Sequence, residues 1–237
     1  MIATWGHALA RFLLPNACVV CSQPGNPDAQ HDALLCALCR NRLTSVIPGC
    51  TRCSQPLPPV GPCRFCAEWD GLETVRSAVW LGDGARQAVH ALKYGGVRAM
   101  AEPLADVAAH RLAAMRGVLV PIPLGDRRLR TRGYNQAAEL AHALGRRWRL
   151  PVRPESLVRQ RETQTQTELA PEARRANVEG AFLPANRGHG TVILVDDVLT
   201  TGATLLAAAQ ALRSAGWGPV QAVTFARAEP WGRRIAS

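Results

Sequence analysis

The sequence has 237 residues, of which 47% are hydrophobic and 19% are charged. This length and composition suit one large domain or two small ones and exclude a globally disordered chain. No apolar stretch approaches the roughly 18 residues of a membrane-spanning helix. The N-terminus lacks the charged start, apolar run and cleavage site of a secretory signal. We therefore expect a cytoplasmic protein without a membrane span, whose thiols are reduced.

The formal net charge of +10 favours an acidic partner such as nucleic acid or phosphate. Lys93, however, is the only lysine among the 28 lysine and arginine residues. Together with the frequent alanine and glycine, this indicates a GC-rich coding bias. The bulk charge therefore carries little weight as a sign of DNA binding.

An apolar helical face opens the chain over residues 3 to 14 and includes Trp5, Leu9 and Phe12. This helix either packs on its own protein or presents a face to a partner or a membrane surface. Residues 15 to 66 follow, and they are rich in Pro, Gly and Cys without a long periodic run.

All eight cysteines lie in that segment, in four C-x-x-C pairs: Cys18/Cys21, Cys36/Cys39, Cys50/Cys53 and Cys63/Cys66. Each pair places two sulfurs on one side of a turn, where they can fill two corners of the tetrahedron that Zn²⁺ prefers. We predict two structural Zn²⁺ ions, because four cysteines per ion leave no open position for chemistry. Sequential pairing would give a double zinc ribbon, while cross-braced pairing and disulfides stay open as alternatives.

Strands alternate with helices beyond residue 70, which indicates a parallel α/β sheet. We divide the chain into a cysteine module over residues 1–70 and an α/β domain over residues 71–237. The predicted strands cover 75–81, 118–122, 191–195 and 220–225. Four helices are predicted in this domain. The first ends near Gly95-Gly96, and the second carries Leu104, Ala108, Leu112 and Met115 on one face. The third covers 134–148, and the fourth ends at Ser214. Residues 154–190 are predicted to be irregular, with a short helical signal over 171–178.

The segment Val192–Thr204 joins an apolar strand, two carboxylates, a loop of small hydroxyl residues and the start of a helix. At the end of a parallel strand, backbone N–H groups and the dipole of the next helix favour a phosphate. Thr200, Thr201 and Thr204 add hydroxyl donors, and Gly202 lets the backbone approach closely. The segment therefore predicts a phosphate-binding turn.

Two adjacent carboxylates, Asp196 and Asp197, precede this turn. Carboxylates repel phosphate but accept hydrogen bonds from vicinal hydroxyls, so the expected ligand is a sugar diol with a phosphate on its nearby arm. A Walker B strand of an ATPase has a similar pattern. That interpretation requires a G-x-x-x-x-G-K-[ST] loop, and the surroundings of Lys93 do not contain one.

A basic loop follows the strand that ends in Pro121-Ile122-Pro123-Leu124. A cluster of arginines beside a phosphate site can clamp pyrophosphate by bidentate contacts, although a solvated basic loop is the plain alternative. We assign to the pyrophosphate and acceptor side Lys93, Tyr94, Arg127, Arg128, Arg130 and Arg132. The single lysine suggests a need for a compact ammonium, and we hypothesise that it contacts a phosphate or the acceptor.

The Val192–Thr204 segment resembles the signature of type I phosphoribosyltransferases, which bind phosphoribosyl pyrophosphate (PRPP). The resemblance implies that Asp196 and Asp197 take the ribose 2′ and 3′ hydroxyls, with Mg²⁺ accompanying PRPP. It places the 5′-phosphate against a run of consecutive residues: Val198, Leu199, Thr200, Thr201, Gly202, Ala203 and Thr204.

The whole chain resembles the ComF family of competence-associated, phosphoribosyltransferase-like proteins. The resemblance rests on the cysteine module, the PRPP segment and four further motifs: Leu92-Lys93-Tyr94-Gly95, Pro121-Ile122-Pro123-Leu124, Arg132-Gly133-Tyr134-Asn135-Gln136 and the segment from Arg174 to Phe182. One departure is that no proline precedes Gln166 in the segment that corresponds to the family's mobile hood.

This resemblance leaves two functions open. The first is an enzyme that transfers the phosphoribosyl group of Mg²⁺-PRPP, or of a related ribose phosphate, to an acceptor that the sequence does not name. The second is a non-catalytic protein linked to DNA uptake in natural transformation, which binds single-stranded DNA or acts as an adaptor to the uptake helicase. The fold alone does not choose between them.

Overall fold

The computed structural model describes residues 17–24, 33–47, 49–161 and 178–229. The helix predicted over residues 3–14, Gln166 and nearly all of the helical signal over 171–178 lie outside these ranges. Among the described residues, no helix has the length and apolar character needed to cross a membrane.

The described residues form six α-helices and six strands, all of which except the first helix lie beyond residue 70. The α-helices are α1 (Ala37–Arg42), α2 (Asp83–Lys93), α3 (Ala101–Arg111), α4 (Asp126–Arg132), α5 (Gln136–Trp148) and α6 (Ala203–Ser214). The strands are β1 (Thr74–Trp80), β2 (Val118–Pro121), β3 (Leu157–Arg159), β4 (Phe182–Pro184), β5 (Val192–Leu199) and β6 (Val220–Arg227). Short 3₁₀ helices cover Arg98–Met100 and Pro154–Ser156.

Four of these strands form one sheet in the order β1-β6-β5-β2, and each neighbouring pair is parallel. The strands are nearly continuous apolar runs because helices cover both faces of the sheet. Strands β3 and β4 form a separate antiparallel pair. The predicted parallel α/β sheet is therefore confirmed.

Alternate residues of β5 belong to two hydrophobic cores, as the period of a strand requires. Ile193 and Val195 pack with helices α2, α3 and α5 on one face. Val192 and Leu194 pack with α6 on the other face. The cysteine module contributes to both cores, with Cys18 and Cys39 in the first and Cys50, Cys53 and Cys66 in the second.

One helix end, one strand end and one segment differ most from the sequence predictions. The helix expected to include Leu112 and Met115 ends at Arg111, because Leu112 has an extended backbone at φ −113° and ψ 137°. The strand expected to end at Val195 continues to Leu199, since it keeps its pairing with β6. The segment 154–190, expected to be irregular, contains β3 and β4. The domain boundary after residue 70 stays a prediction.

Two helical glycines should respond in opposite ways to replacement by alanine. A methyl group on Gly145 would lie 2.7 Å from Val152 Cγ2 and 2.9 Å from the carbonyl oxygen of Leu150. On Gly84 the nearest atoms would be at 3.4 and 3.5 Å, an ordinary packing distance. We expect Gly145→Ala to lower the free energy of unfolding by about 1–3 kcal/mol.

Gly84→Ala is the matched control and should raise the free energy of unfolding by up to about 1 kcal/mol through helix propensity. Urea denaturation measures both variants. Equal stability of Gly145→Ala and the parent protein would contradict the close packing of α5 against Leu150 and Val152.

Candidate functional site

The eight cysteines form two separate clusters in the structure. Within each cluster, all sulfur atoms lie within 4.8 Å of one another. The first cluster contains Cys18, Cys21, Cys36 and Cys39, and the second contains Cys50, Cys53, Cys63 and Cys66. Sequential pairing of the four C-x-x-C turns is therefore the arrangement present, and the cross-braced alternative is not.

Sulfur separations test whether these clusters fit Zn²⁺. Four sulfurs at about 2.3 Å from a tetrahedral ion lie about 3.8 Å apart. The observed separations are 3.8 Å for Cys21–Cys36, 3.6 Å for Cys50–Cys66 and 3.6 Å for Cys53–Cys63. All eight thiols are free, so the disulfide alternative is not present. The clusters fit two structural Zn²⁺ ions.

Backbone N–H groups prepare one thiol in each cluster for ionisation. Burial opposes ionisation of Cys18, but N–H groups of Cys36, Cys21 and Val20 outweigh it and lower its pKa to about 7. Cys50 behaves in the same way, and its pKa also falls to about 7. The thiolate is the metal ligand, so Cys18 and Cys50 are the thiols best prepared to bind an ion, whereas burial raises the pKa of Cys39, Cys53 and Cys66.

The predicted phosphate-binding turn leads from β5 into α6. A small concavity is lined by Asp196 and by residues of the turn and the first helical turn: Val198, Leu199, Thr200, Gly202, Ala203, Thr204 and Leu205. Gly202 caps α6 with a left-handed backbone, at φ 85° and ψ −4°. Thr201 Oγ1 accepts a hydrogen bond from the N–H of Ala203 at 3.4 Å. The structure thus brings together most residues that the sequence assigned to a phosphate.

Asp196 and Asp197 lie inside β5 rather than after it, which corrects the prediction that the strand ends before them. Their side chains meet different surroundings. Asp196 is partly exposed and lines the concavity, whereas the Asp197 side chain is 4% exposed. The Lys93 ammonium lies 2.9 Å from Asp197 Oδ1. Asp197 Oδ2 is buried without a hydrogen-bond partner among the described residues.

Lys93 keeps its charge in this position. Burial alone would lower the pKa of Lys93, but the carboxylates of Asp197 and Asp196 outweigh burial and raise the pKa. The last residue of α2 is therefore a cation at the edge of the sheet, next to the predicted diol site. The sequence singled out this lysine but not its partner, and its predicted contact with a ligand phosphate or the acceptor stays a prediction.

Asp196 has an unusual ionisation equilibrium. Burial and the negative charge of Asp197 raise its pKa to about 7, while the charges of Lys93 and Arg159 oppose the rise. The N–H of Asp197 donates to Asp196 Oδ1 at 2.9 Å. A carboxyl group that titrates near neutral pH in a concavity is characteristic of functional sites.

The four arginines after β2 lie on helix α4, so the prediction of a basic loop is wrong. Four arginines in seven residues leave no apolar face that a periodicity argument could detect. Arg127 and Arg130 are exposed, and Arg128 and Arg132 are half-buried. The helix follows the strand paired with β5, so it starts on the same sheet edge as the turn.

Side chains around α4 tie it to α2 and α5. The Arg132 guanidinium lies 5.1 Å from the centre of the Tyr94 ring, and Tyr94 is 61% exposed. Tyr134 donates its hydroxyl to the carbonyl of Leu92. Asn135 donates to the carbonyl of Ile122 at 2.9 Å and caps α5 by accepting from the N–H of Ala137 at 3.0 Å. Tyr134 and Asn135 thus connect the start of α5 to α2 and to the residue that follows β2.

Arg159 is a candidate site residue that the sequence analysis missed. It ends β3, and its guanidinium lies 5.3 Å from the centre of the Phe182 ring and 3.5 Å from the carbonyl oxygen of Pro123. Its charge also lowers the pKa of Asp196. The sequence offered no signal for it, because Arg153 and Arg161 flank Arg159 and nothing distinguishes it from them.

Comparisons with known proteins agree with this geometry. A family described as "Double zinc ribbon domain" matches residues 9–67, and one described as "Phosphoribosyl transferase domain" matches residues 129–233. "DNA utilization protein YhgH" of Escherichia coli O157:H7 is 32% identical over 215 residues, which cover 86% of this chain and 87% of that protein. The chain belongs to the ComF family.

Two further ComF relatives carry competence names. "Competence protein ComFC" of Bacillus subtilis is 27% identical, with 84% of this chain and 89% of the relative covered. "Competence protein F" of Haemophilus influenzae is 38% identical over a shorter match, which covers 46% of this chain and 50% of the relative.

The metal content tests the two clusters. We expect the full-length protein, purified without chelator, to carry about two Zn²⁺ per chain by mass-spectrometric metal analysis. Cys63→Ser should reduce this to about one, because the clusters share no ligand. A folded protein that contains no metal would show that the clusters are not zinc sites.

The raised pKa of Asp196 predicts a pH dependence of stability. The folded chain keeps this proton up to about pH 7, whereas the unfolded chain loses it near pH 4, so stability falls between these values as the pH rises. The Asp196→Asn variant lacks this pH-dependent loss of stability. The free energy of unfolding of the variant minus that of the parent protein should therefore be larger at about pH 8 than at about pH 5. Chemical denaturation at both pH values measures the difference, with Asp83→Asn as the exposed control. A constant difference would contradict the raised pKa.

Proposed function

We propose that the concavity between β5 and α6 binds PRPP or a related ribose 5-phosphate, with Mg²⁺ accompanying the pyrophosphate. The observation that carries this proposal is the joint position of the start of α6, where Gly202 provides no side-chain cap, and the two carboxylates at one sheet edge. The helix start supplies N–H donors and a favourable dipole for the phosphate. Asp196 supplies an acceptor for a ribose hydroxyl, and Asp197 lies next to it at the same sheet edge.

Asp196 and Asp197 have different roles in this proposal. Asp196 faces the concavity and accepts a ribose hydroxyl once it is ionised. Asp197 is buried and does not line the concavity, so it acts through Lys93, which its Oδ1 holds at this edge of the sheet. The Lys93 charge also offsets the repulsion between these acids and the ligand's phosphates. Ionisation of Asp196 near neutral pH makes ligand affinity rise with pH.

The reaction that suits such a site is phosphoribosyl transfer. The bond from C1′ to pyrophosphate would break with its electron pair going to pyrophosphate, whose charge Mg²⁺ would balance. A lone pair of the acceptor would form the new bond to C1′, and the acceptor's proton would pass to solvent. The protein contributes positioning and charge compensation rather than a covalent nucleophile. Lys93, Tyr94 and the arginines of α4 stand on the pyrophosphate and acceptor side.

The names of the relatives suggest the biological setting. "DNA utilization" and "competence" connect those proteins with the use and uptake of DNA. We propose that this chain serves the same process in the cytoplasm, in contact with single-stranded DNA and a DNA-uptake helicase.

A non-catalytic DNA-binding protein is the second candidate. The favouring observation is α4, a short helix with no buried residue, on which Arg127 and Arg130 are exposed. Exposed arginines contact the phosphates of a nucleic acid, and such binding weakens steeply with salt. Release of pyrophosphate from Mg²⁺-PRPP on addition of amines or nucleobases would favour the enzyme. Salt-sensitive binding of an oligonucleotide without that release would favour this candidate.

Matched variants separate the two parts of the proposed site by titration calorimetry with ribose 5-phosphate and with inorganic phosphate. Thr200→Val removes a hydroxyl from the turn and should weaken both ligands about fivefold. Asp196→Asn should weaken ribose 5-phosphate about tenfold and leave inorganic phosphate unchanged or bound more tightly. Thr191→Val, immediately before the opposite end of β5, is the control and should change neither affinity.

Two results would contradict the proposal. One is a parent protein that binds neither ribose 5-phosphate nor Mg²⁺-PRPP. The other is an Asp196→Asn variant that binds ribose 5-phosphate as tightly as the parent does.

A further inference from the structure

The turn that joins β5 to α6 is supported at both ends by the second cysteine cluster, which contains Cys50, Cys53, Cys63 and Cys66. We call residues 200–202 the phosphate turn. Leu199 immediately precedes it, and Gly202 is its last residue. Trp69 contacts Gly202, and Arg227 pairs with Leu199.

Trp69 closes the far end of the phosphate turn. A methyl group built on Gly202 would lie 2.8 Å from Trp69 Cζ2 and 3.2 Å from Trp69 Cε2. Only glycine therefore fits against this indole, in addition to the left-handed backbone that already favours glycine at this position. The indole is the surface on which the start of α6 rests.

The second cluster fixes the position of Trp69. The N–H of Trp69 donates to the carbonyl of Cys66 at 3.2 Å, and the Phe65 ring meets the indole edge-on at 5.4 Å. Arg52, between two cysteine ligands, donates to the carbonyls of Trp69 and Cys66. Trp69 is 4% exposed, so little freedom remains for the indole once the cluster is folded.

Arg227 supports the other end of the turn. It is the last residue of β6, pairs with Leu199 across the sheet and is 0% exposed. Its guanidinium donates to the carbonyl of Cys53 and lies 4.5 Å from the centre of the Phe65 ring. The N–H of Ala228 donates to the carbonyl of Leu199 at 2.8 Å. The end of β5 is therefore joined to the cluster through its neighbouring strand.

The first cysteine cluster has a different neighbourhood. Cys18 and Cys39 pack into the core on the α2, α3 and α5 face of the sheet. The second cluster shares its core with Trp69, Leu199 and Ala203 on the α6 face. The two clusters can therefore be compared as a site that is linked to the phosphate turn through Trp69 and Arg227 and a matched site that lies on the other face of the sheet.

We infer that Trp69 and Arg227 are positioning residues that carry the geometry of the second metal cluster into the phosphate turn. Phosphate affinity then depends on an intact second cluster and not on the first. This inference rests on the proposed function for its ligand, but the contacts that carry it are independent of ligand identity.

Two buried tryptophans at opposite ends of α6 provide the test. Trp69 lies against Gly202 at the start of the helix, and Trp217 lies against Gly188 beyond its end. With zinc-loaded full-length protein and ribose 5-phosphate, Trp69→Phe should weaken binding about tenfold and Trp217→Phe less than twofold. Zinc analysis should show the parent's metal content in both variants. Equal effects of the two substitutions, or none from Trp69→Phe, would overturn the inference.

A rescue experiment distinguishes direct positioning from a general loss of stability. Gly202→Ala should weaken ribose 5-phosphate binding because the new methyl group meets the indole. In a Trp69→Ala background the strain of the left-handed backbone remains but the methyl group no longer meets the indole, so the additional cost of Gly202→Ala should be smaller by about threefold or more. Additive effects of the two substitutions would contradict contact between these residues as the cause.

Hydrogen exchange of the amides in residues 199–206 tests the inference without a ligand. Cys63→Ser in the second cluster should speed exchange there, whereas Cys21→Ser in the first should not; both cysteines are half-buried. If ribose 5-phosphate fails to bind the parent protein, the proposed function is wrong and this arm alone decides the inference. Equal exchange in the two variants would overturn it.

Discussion

A buried carboxylate at the end of a central strand requires a cation within hydrogen-bond distance, and Lys93 meets that requirement for Asp197. This ion pair fixes the end of α2 against the carboxyl edge of the sheet. It also gives two neighbouring acids different roles. Asp197 is paired with Lys93, while Asp196 faces the concavity and has a raised pKa. The site consequently has an ammonium–carboxylate pair beside an acid whose pKa is raised to about 7.

The cysteine module contributes to the site as well as to its own fold. Each cluster packs into one of the two cores that flank the sheet, so the module is joined to both faces of the α/β domain. Arg111 reinforces the first junction by donating to the carbonyls of Leu43 and Arg40 at 2.7 and 2.8 Å. Around the second cluster, Trp69 and Arg227 extend the metal-dependent structure to the phosphate turn. A segment with few core residues of its own thus becomes part of the support for a ligand site.

Much of this architecture was predictable from local sequence patterns. The C-x-x-C spacing predicted the metal clusters, and the strand–acid–hydroxyl–glycine order of Val192–Thr204 predicted the turn. The contacts that were missed are not local. Lys93 was recognisable as the only lysine, but its pairing with Asp197 depends on how α2 crosses the sheet. Trp69 and Gly202 meet only because the cysteine module folds back onto α6. The short strands β3 and β4 and the arginine-rich helix α4 lack the length or the apolar face that periodicity requires.

The most direct test of the account is a crystal structure of the zinc-loaded protein with Mg²⁺ and ribose 5-phosphate. We predict electron density for the phosphate against the backbone N–H groups at the start of α6, and ribose oxygens within hydrogen-bond distance of Asp196. Lys93 should remain on Asp197 in that structure. A ligand bound elsewhere on the protein, with the concavity between β5 and α6 empty, would contradict the account.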